Sequence, residues 1–352
     1  MSDISAGIRL AKAWSLASGS LFAATLIGAV ALAASGALAI GRAPVGLMDV
    51  GRLVLASAGL IHLPAADYDF LYNVIVQIRL PRILAACLIG AALAASGGAY
   101  QAAFRNPLVS PDILGVLSGA AFGAVAGLLL GGDWLTLQIA GFAGGLAAAA
   151  LGVGIANLAG PASTIMLVLG GLISGALFTA LLTIVKFVAD PYNQLPVIIY
   201  WLMGSLASAD LAQLALVAPP MALGLAVLTA CGRGLDALSM GDDEARTLGV
   251  PVGLLRYGVI AAATLICALA VSTAGMIGWI GLLVPHLARL VVGPANGRLM
   301  PASAALGAIF LLAADAVSRS VGRIEIPIGI LTELLGIPAF LLLLSRARKS
   351  WL

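Results

Sequence analysis

Catalysis or metal binding would need His, Cys, Asp, Glu or Lys at short, defined spacings, and this sequence offers few of them. His62 and His286 are the only histidines, and no acidic or cysteine cluster at ligand spacing accompanies either. Cys87, Cys231 and Cys267 stand singly, which points away from a Cys-x-x-Cys site and from a disulfide framework. The lysines are Lys12, Lys186 and Lys349, and none closes a Gly-x-x-x-x-Gly-Lys-Ser/Thr loop, so this chain is not expected to hydrolyse ATP by itself. No catalytic residue, no metal ligand and no bound cofactor are expected.

The charge that is present gathers in a few places. The longest polar interruption on the side expected to be cytoplasmic is Gly234-Leu-Asp-Ala-Leu-Ser-Met-Gly-Asp-Asp-Glu-Ala-Arg-Thr-Leu-Gly-Val-Pro-Val252. In it Leu235 and Leu238, then Ala245 and Leu248, recur at helical spacing, Gly241 and Gly249 break the pattern, and Asp242 and Asp243 suit a helix N-terminus. That predicts two short helices joined by a turn, a docking surface for a cytoplasmic partner rather than a plain connector. Arg79 and Arg82 stand at the head of an apolar run, where arginines at a helix end can snorkel. Arg105-Asn106-Pro107 predicts a tight turn, and Pro285-His286 a kink with a satisfied histidine. Glu333 lies inside an apolar run, and a carboxylate there is a functional candidate because burying it is expensive.

The elements that must carry these residues are set by composition. Of 352 residues 62% are apolar and 9% charged, whereas soluble domains have about a quarter charged residues. The apolar runs are long enough to cross a hydrocarbon core of roughly 30 Å, and a spanning helix satisfies its own backbone. Ten spans are expected, near 16–40, 83–104, 113–130, 135–158, 164–185, 211–231, 254–274, 276–292, 301–317 and 326–344, in a single all-α transmembrane domain over 1–352. The first is read as a retained span, not a signal segment. Residues 197–206 are too few to cross. Gly115, Gly119, Gly123 and Gly127 form a helix-packing ridge. Both termini are expected in the cytoplasm of a multi-pass (inner) membrane protein, since that places most Lys and Arg inside.

The polar loop resembles the coupling loop of the ABC-importer permeases that carry iron chelates, haem and cobalamin, the FecCD type. The family's Gly-(Asp/Glu)-x-x-Ala-x-x-Leu-Gly pattern falls on Gly241, Asp242, Ala245, Leu248 and Gly249, within a loop of about 233–254 that also holds Leu238. Arg79-Leu-Pro-Arg82, Gln101-Ala-Ala-Phe-Arg-Asn-Pro-Leu-Val-Ser-Pro-Asp-Ile-Leu-Gly115, Gly278-Trp-Ile-Gly-Leu-Leu-Val-Pro-His286, Ala314-Asp315 and Glu325-Ile-Pro-Ile-Gly329 agree with the same family.

The resemblance implies a type II importer permease fold and pairing with a second copy of itself. Two ATPase subunits would sit on the coupling loops and bind the ATP and Mg, and an extracytoplasmic binding protein would deliver cargo. Membrane lipid surrounds such a permease, and no nucleic acid is involved. By the resemblance Arg79, Arg82 and Arg319 grip the binding protein, with Arg323 competing for the third place because the interval to Glu325 is one residue short. Lys186, Tyr192, Trp201 and Gly204 fall in the region resembling the family's outer gate, about 186–206. Iron-siderophore or haem leads as cargo, with cobalamin and an oxyanion such as molybdate open. The competing class, a self-sufficient secondary transporter, would need paired intramembrane acids or broken spans, for which the sequence offers Asp315 and Glu333.

Overall fold

The structure is a computed structural model that describes residues 2–158, 164–321 and 324–350, and within these the side chains from 19 to 343. Regular structure among the described residues is helical throughout. Helix α1 (Ser2–Ala39) is followed by two short helices, α2 (Leu47–Ser57) and α3 (Ala65–Tyr72). From α3 a π-helical stretch, Asn73–Arg79, leads without interruption into α4 (Leu80–Ala103). A 3₁₀ turn, Pro111–Leu114, precedes α5 (Val116–Leu129), and α6 (Trp134–Leu158), α7 (Thr164–Val188) and the short α8 (Gln194–Leu202) follow. The second half comprises α9 (Leu211–Ala230), α10 (Gly232–Met240), α11 (Asp242–Thr247), α12 (Val252–Ala274), α13 (Ile280–Val292), α14 (Asn296–Ser320) and α15 (Ile328–Ser350).

Among the described residues, seven helical stretches are long and apolar enough to cross a membrane, and Val116–Leu129, Ile280–Val292 and Ile328–Leu343 are shorter apolar helices. These ten correspond to the ten expected spans. Two expected spans, 113–130 and 276–292, are only partly helical: α5 and α13 rise about 20 Å each, short of a full crossing. Residues 104–115 and 275–279 supply the remaining depth as irregular backbone, with positive φ at Arg105, Gly115, Gly275 and Trp279. Such backbone is tolerated at membrane depth where protein or water surrounds it.

Helix α4 is the central post, buried along nearly its whole length against α12, α13 and α14. Its contacts are made backbone to backbone. A Cβ on Gly90 would lie 2.3 Å from the Gly307 carbonyl oxygen, and one on Gly97 would lie 1.8 Å from that of Gly281. Small residues permit this approach, which is how helices gain dispersion energy where lipid offers no hydrophobic drive. The glycine ridge on α5 works likewise, with Gly119 and Gly123 against Gly144 and Ala140 of α6.

Residues 41–79 fall within none of the expected spans. The fold places α2 and α3 there as a small cap over one end of the bundle, around Val45, Leu53, Leu63, Leu71 and Ile75. Helix α2 is too short and too mixed in polarity to register as a span, and α3 forms the first turns of the continuous stretch Ala65–Ala103.

Candidate functional site

At one end of the bundle α10 and α11 form the expected pair of short helices. Gly249 has φ +78°, its N–H donates to the Arg246 carbonyl and that of Val250 to Ala245, a Schellman stop that only glycine adopts freely. Leu235, Leu238 and Ala245 are buried within the chain's own core, whereas Leu248 and Met240 are exposed. Of the residues expected to meet a partner, Leu238 and Ala245 therefore anchor the unit from beneath, and Leu248 projects. Asp242 receives two hydrogen bonds from Arg256, at 2.6 and 3.0 Å, and lies 3.7 Å from the Arg105 guanidinium. Arg256's bonds hold the Asp242 carboxyl below the ordinary carboxylate range. Arg105 sits in the expected tight turn, with φ +49° and Asn106 Oδ1 accepting from the Leu108 N–H. Asp236 of α10 accepts from the backbone and side chain of Asn296 at the head of α14. The unit is thus tied to the α4–α5 turn, α12 and α14 together.

At the opposite end lie the arginines that the resemblance assigns to a binding protein. Arg79, Arg82 and Arg319 are all buried, and their donors are engaged within the chain. Arg82 pairs with Asp315 at 2.6 Å and Glu325 at 2.8 Å, and Arg319 pairs with Asp315 at 3.0 Å. Arg79 donates to the carbonyls of Leu38, Ala43 and Val45, and Arg319 to those of Ala37 and Ile40. The physical reason is the end of α1: its last carbonyls lack helical partners, and guanidinium groups satisfy them while complementing the helix dipole. Arg323 lies outside the described residues.

Of the expected gate residues, Trp201 and Gly204 come together at a junction of three non-helical ends. Gly204 has φ +77°, and a Cβ there would lie 2.8 Å from the Met276 carbonyl oxygen. The amides of Ile328 and Gly329 donate to the carbonyls of Gly204 and Met203, and that of Ser205 to Ala274, joining the end of α8 to α12 and α15. Lys186 is half-buried and Tyr192 exposed on the neighbouring turn, away from this junction.

Beside the junction is a cavity of about 440 Å³ lined by residues from four places: Ser110 and Asp112, Met203, Gly278 and Trp279, and Gly329 and Glu333. Both half-length helices reach this cavity, for Leu117 of α5 and Trp279 at the head of α13 line it. Glu333 stands out in the sequence by itself, whereas Asp112 and Trp279 are visible there only as members of longer family motifs. A hydropathy pattern shows an apolar run, not that its helix begins halfway. His286 is satisfied as expected, its Nδ1 bonding to the Leu282 carbonyl at 2.8 Å, with its ring against Phe340.

Comparisons with known proteins agree on one family. The FecCD transport family profile matches residues 25–346. The chain is 36% identical over 309 residues to the molybdate import system permease protein MolB of Haemophilus influenzae, covering 88% of this chain and 90% of that one. It is 42% identical over 273 residues to the cobalamin import system permease protein BtuC of Halobacterium salinarum, covering 77% and 73%. A solved inward-facing structure of a metal-chelate type ABC transporter superposes with a TM-score of 0.81 at 36% identity, covering 92% of this chain and 98% of that one.

Proposed function

Since the chain belongs to the FecCD transport family, we propose that it is the membrane permease of an ATP-driven importer for a metal chelate, an iron-siderophore or haem in the first place. Two copies pair around the pathway, two separate ATPase subunits dock at the α10–α11 end, and a binding protein delivers cargo at the opposite end. In this reading the α10–α11 end faces the cytoplasm, as do both termini. The observation that carries it is the α10–α11 unit, with an apolar residue exposed at its tip, a buried base, and polar ties to the α4–α5 turn that leads to the cavity.

The broken spans α5 and α13 are a feature that secondary transporters share, so the architecture alone does not separate the two classes. Membership over residues 25–346 favours the importer. Cargo identity is open within the family, because the relatives named above carry molybdate and cobalamin. The test is reconstitution in vesicles with and without an ATPase subunit. Chelate uptake should require the ATPase and ATP; uptake by the chain alone, driven by an ion gradient, would replace the importer with a secondary transporter.

A further inference from the structure

Glu333 lies five residues into α15, roughly 8 Å along its axis, and its side chain is exposed on the single chain. It shares that face with Ile330, Leu334 and Ile337, all exposed. A carboxylate at the centre of a spanning helix costs about 2.5–3.5 kcal/mol against lipid, so intramembrane carboxylates face water or protein. Asp112 stands on the wall of the same cavity. Its side chain is exposed on the single chain, its accessible surface opening into the cavity, and among the described residues its carboxylate has no hydrogen bond or ion pair. The turn it occupies packs against the middle of α7, where a Cβ on Gly171 would clash with the Ile113 carbonyl and one on Gly175 would lie 3.9 Å from that of Asp112.

We propose that Asp112 and Glu333 form a charge filter on the transport pathway, which favours neutral or cationic chelates over anionic cargo such as free oxyanions, and so, of the cargoes named above, favours an iron-siderophore without net negative charge over haem with its ionised propionates. The inference rests on the permease reading above, because only a water-lined pathway between two copies gives these carboxylates a wet surface. With two copies, four carboxylates surround the route. The N-termini of α5 and α13 at the cavity each contribute about half a positive charge, so about one net negative charge per copy remains. Rings of Asp and Glu select cations in pores, whereas anion pathways use Arg and Lys, and no basic residue lines this cavity. A resident metal is not the purpose, since no group of three or more His, Cys, Asp or Glu is placed to hold one among the described residues.

The test reads charge preference directly, without a known cargo. In a Cys87→Ala, Cys231→Ala, Cys267→Ala background, Ser110→Cys and, separately, Met203→Cys place a thiol on opposite walls of the cavity. Cationic and anionic thiosulfonate reagents of similar size are applied to the reconstituted protein, with rates normalised to a small free thiol. The cationic reagent should react roughly tenfold faster or more. Asp112→Asn with Glu333→Gln should bring the ratio close to one, and each single substitution should give an intermediate value. Equal rates in the unsubstituted cavity, or a ratio that the carboxylate substitutions leave unchanged, would overturn the filter while the pathway reading stands. No reaction with either reagent at either position would overturn both, since the cavity would not be wet.

Discussion

Arg82 is the residue whose surroundings are furthest from its sequence context. It meets Asp315 and Glu325, more than two hundred positions along the chain, and shares Asp315 with Arg319. Removing one partner of a buried pair costs about 3–5 kcal/mol because the other charge stays buried. Arg82→Ala should therefore lower the thermal stability of the purified protein markedly, and adding Asp315→Asn should recover part of the loss; unchanged melting in Arg82→Ala would mean that the pair is wet and weak. Asp242 carries a pH prediction. Its carboxyl is held below the ordinary range of about 3.9, so its pairing with Arg256 stabilises the fold fully above that value and is lost as pH falls through the lower folded one. The stability difference between wild type and Asp242→Asn should be flat from about pH 5 upward and shrink below pH 4. A difference that shrinks between pH 5 and 7 would show that another group is responsible. The sequence made these charges visible but not their partners, which only the packing of α1, α4, α12 and α14 brings near.

Among elements, the α10–α11 unit was the most legible, because helical spacing, an acidic N-terminus and a glycine stop all act within a few residues of one another. What spacing could not tell was which leucine points inward. Leu238→Ala removes a buried side chain and should destabilise the protein by about 2–5 kcal/mol. Leu248→Ala should leave melting unchanged and reduce co-purification of the ATPase subunit. If Leu248→Ala retains its full ATPase complement, the exposed leucine is not part of the joint. The half-helices α5 and α13 were illegible for the opposite reason. The lead 275–279 is largely apolar, so hydropathy runs through the point where α13 begins, whereas 104–115 carries Arg105, Asn106, Ser110 and Asp112 and only its apolar end, 113–115, was read as part of the span. Glycines at 115 and 275 were hints, but forty-one others in the chain carry no such break or carry it elsewhere.

For the molecule as a whole, the class, the number of apolar helices and the family were legible because membrane burial leaves a coarse imprint on every run of about twenty residues. The cap of α2 and α3 and the cavity were not, since both depend on segments shorter than that window. One small feature then bears on time. The amides of Ser205, Ile328 and Gly329 are tied across three different chain ends, not within any helix. If α8 and the head of α15 part each time cargo passes, these three protons become free to exchange with heavy water once per cycle. Their deuterium uptake should accelerate together under ATP turnover, while the buried amides of α4 keep their slow pace. The junction would then serve as a built-in turnover counter, and uncorrelated exchange at the three positions would show that it does not open as one piece.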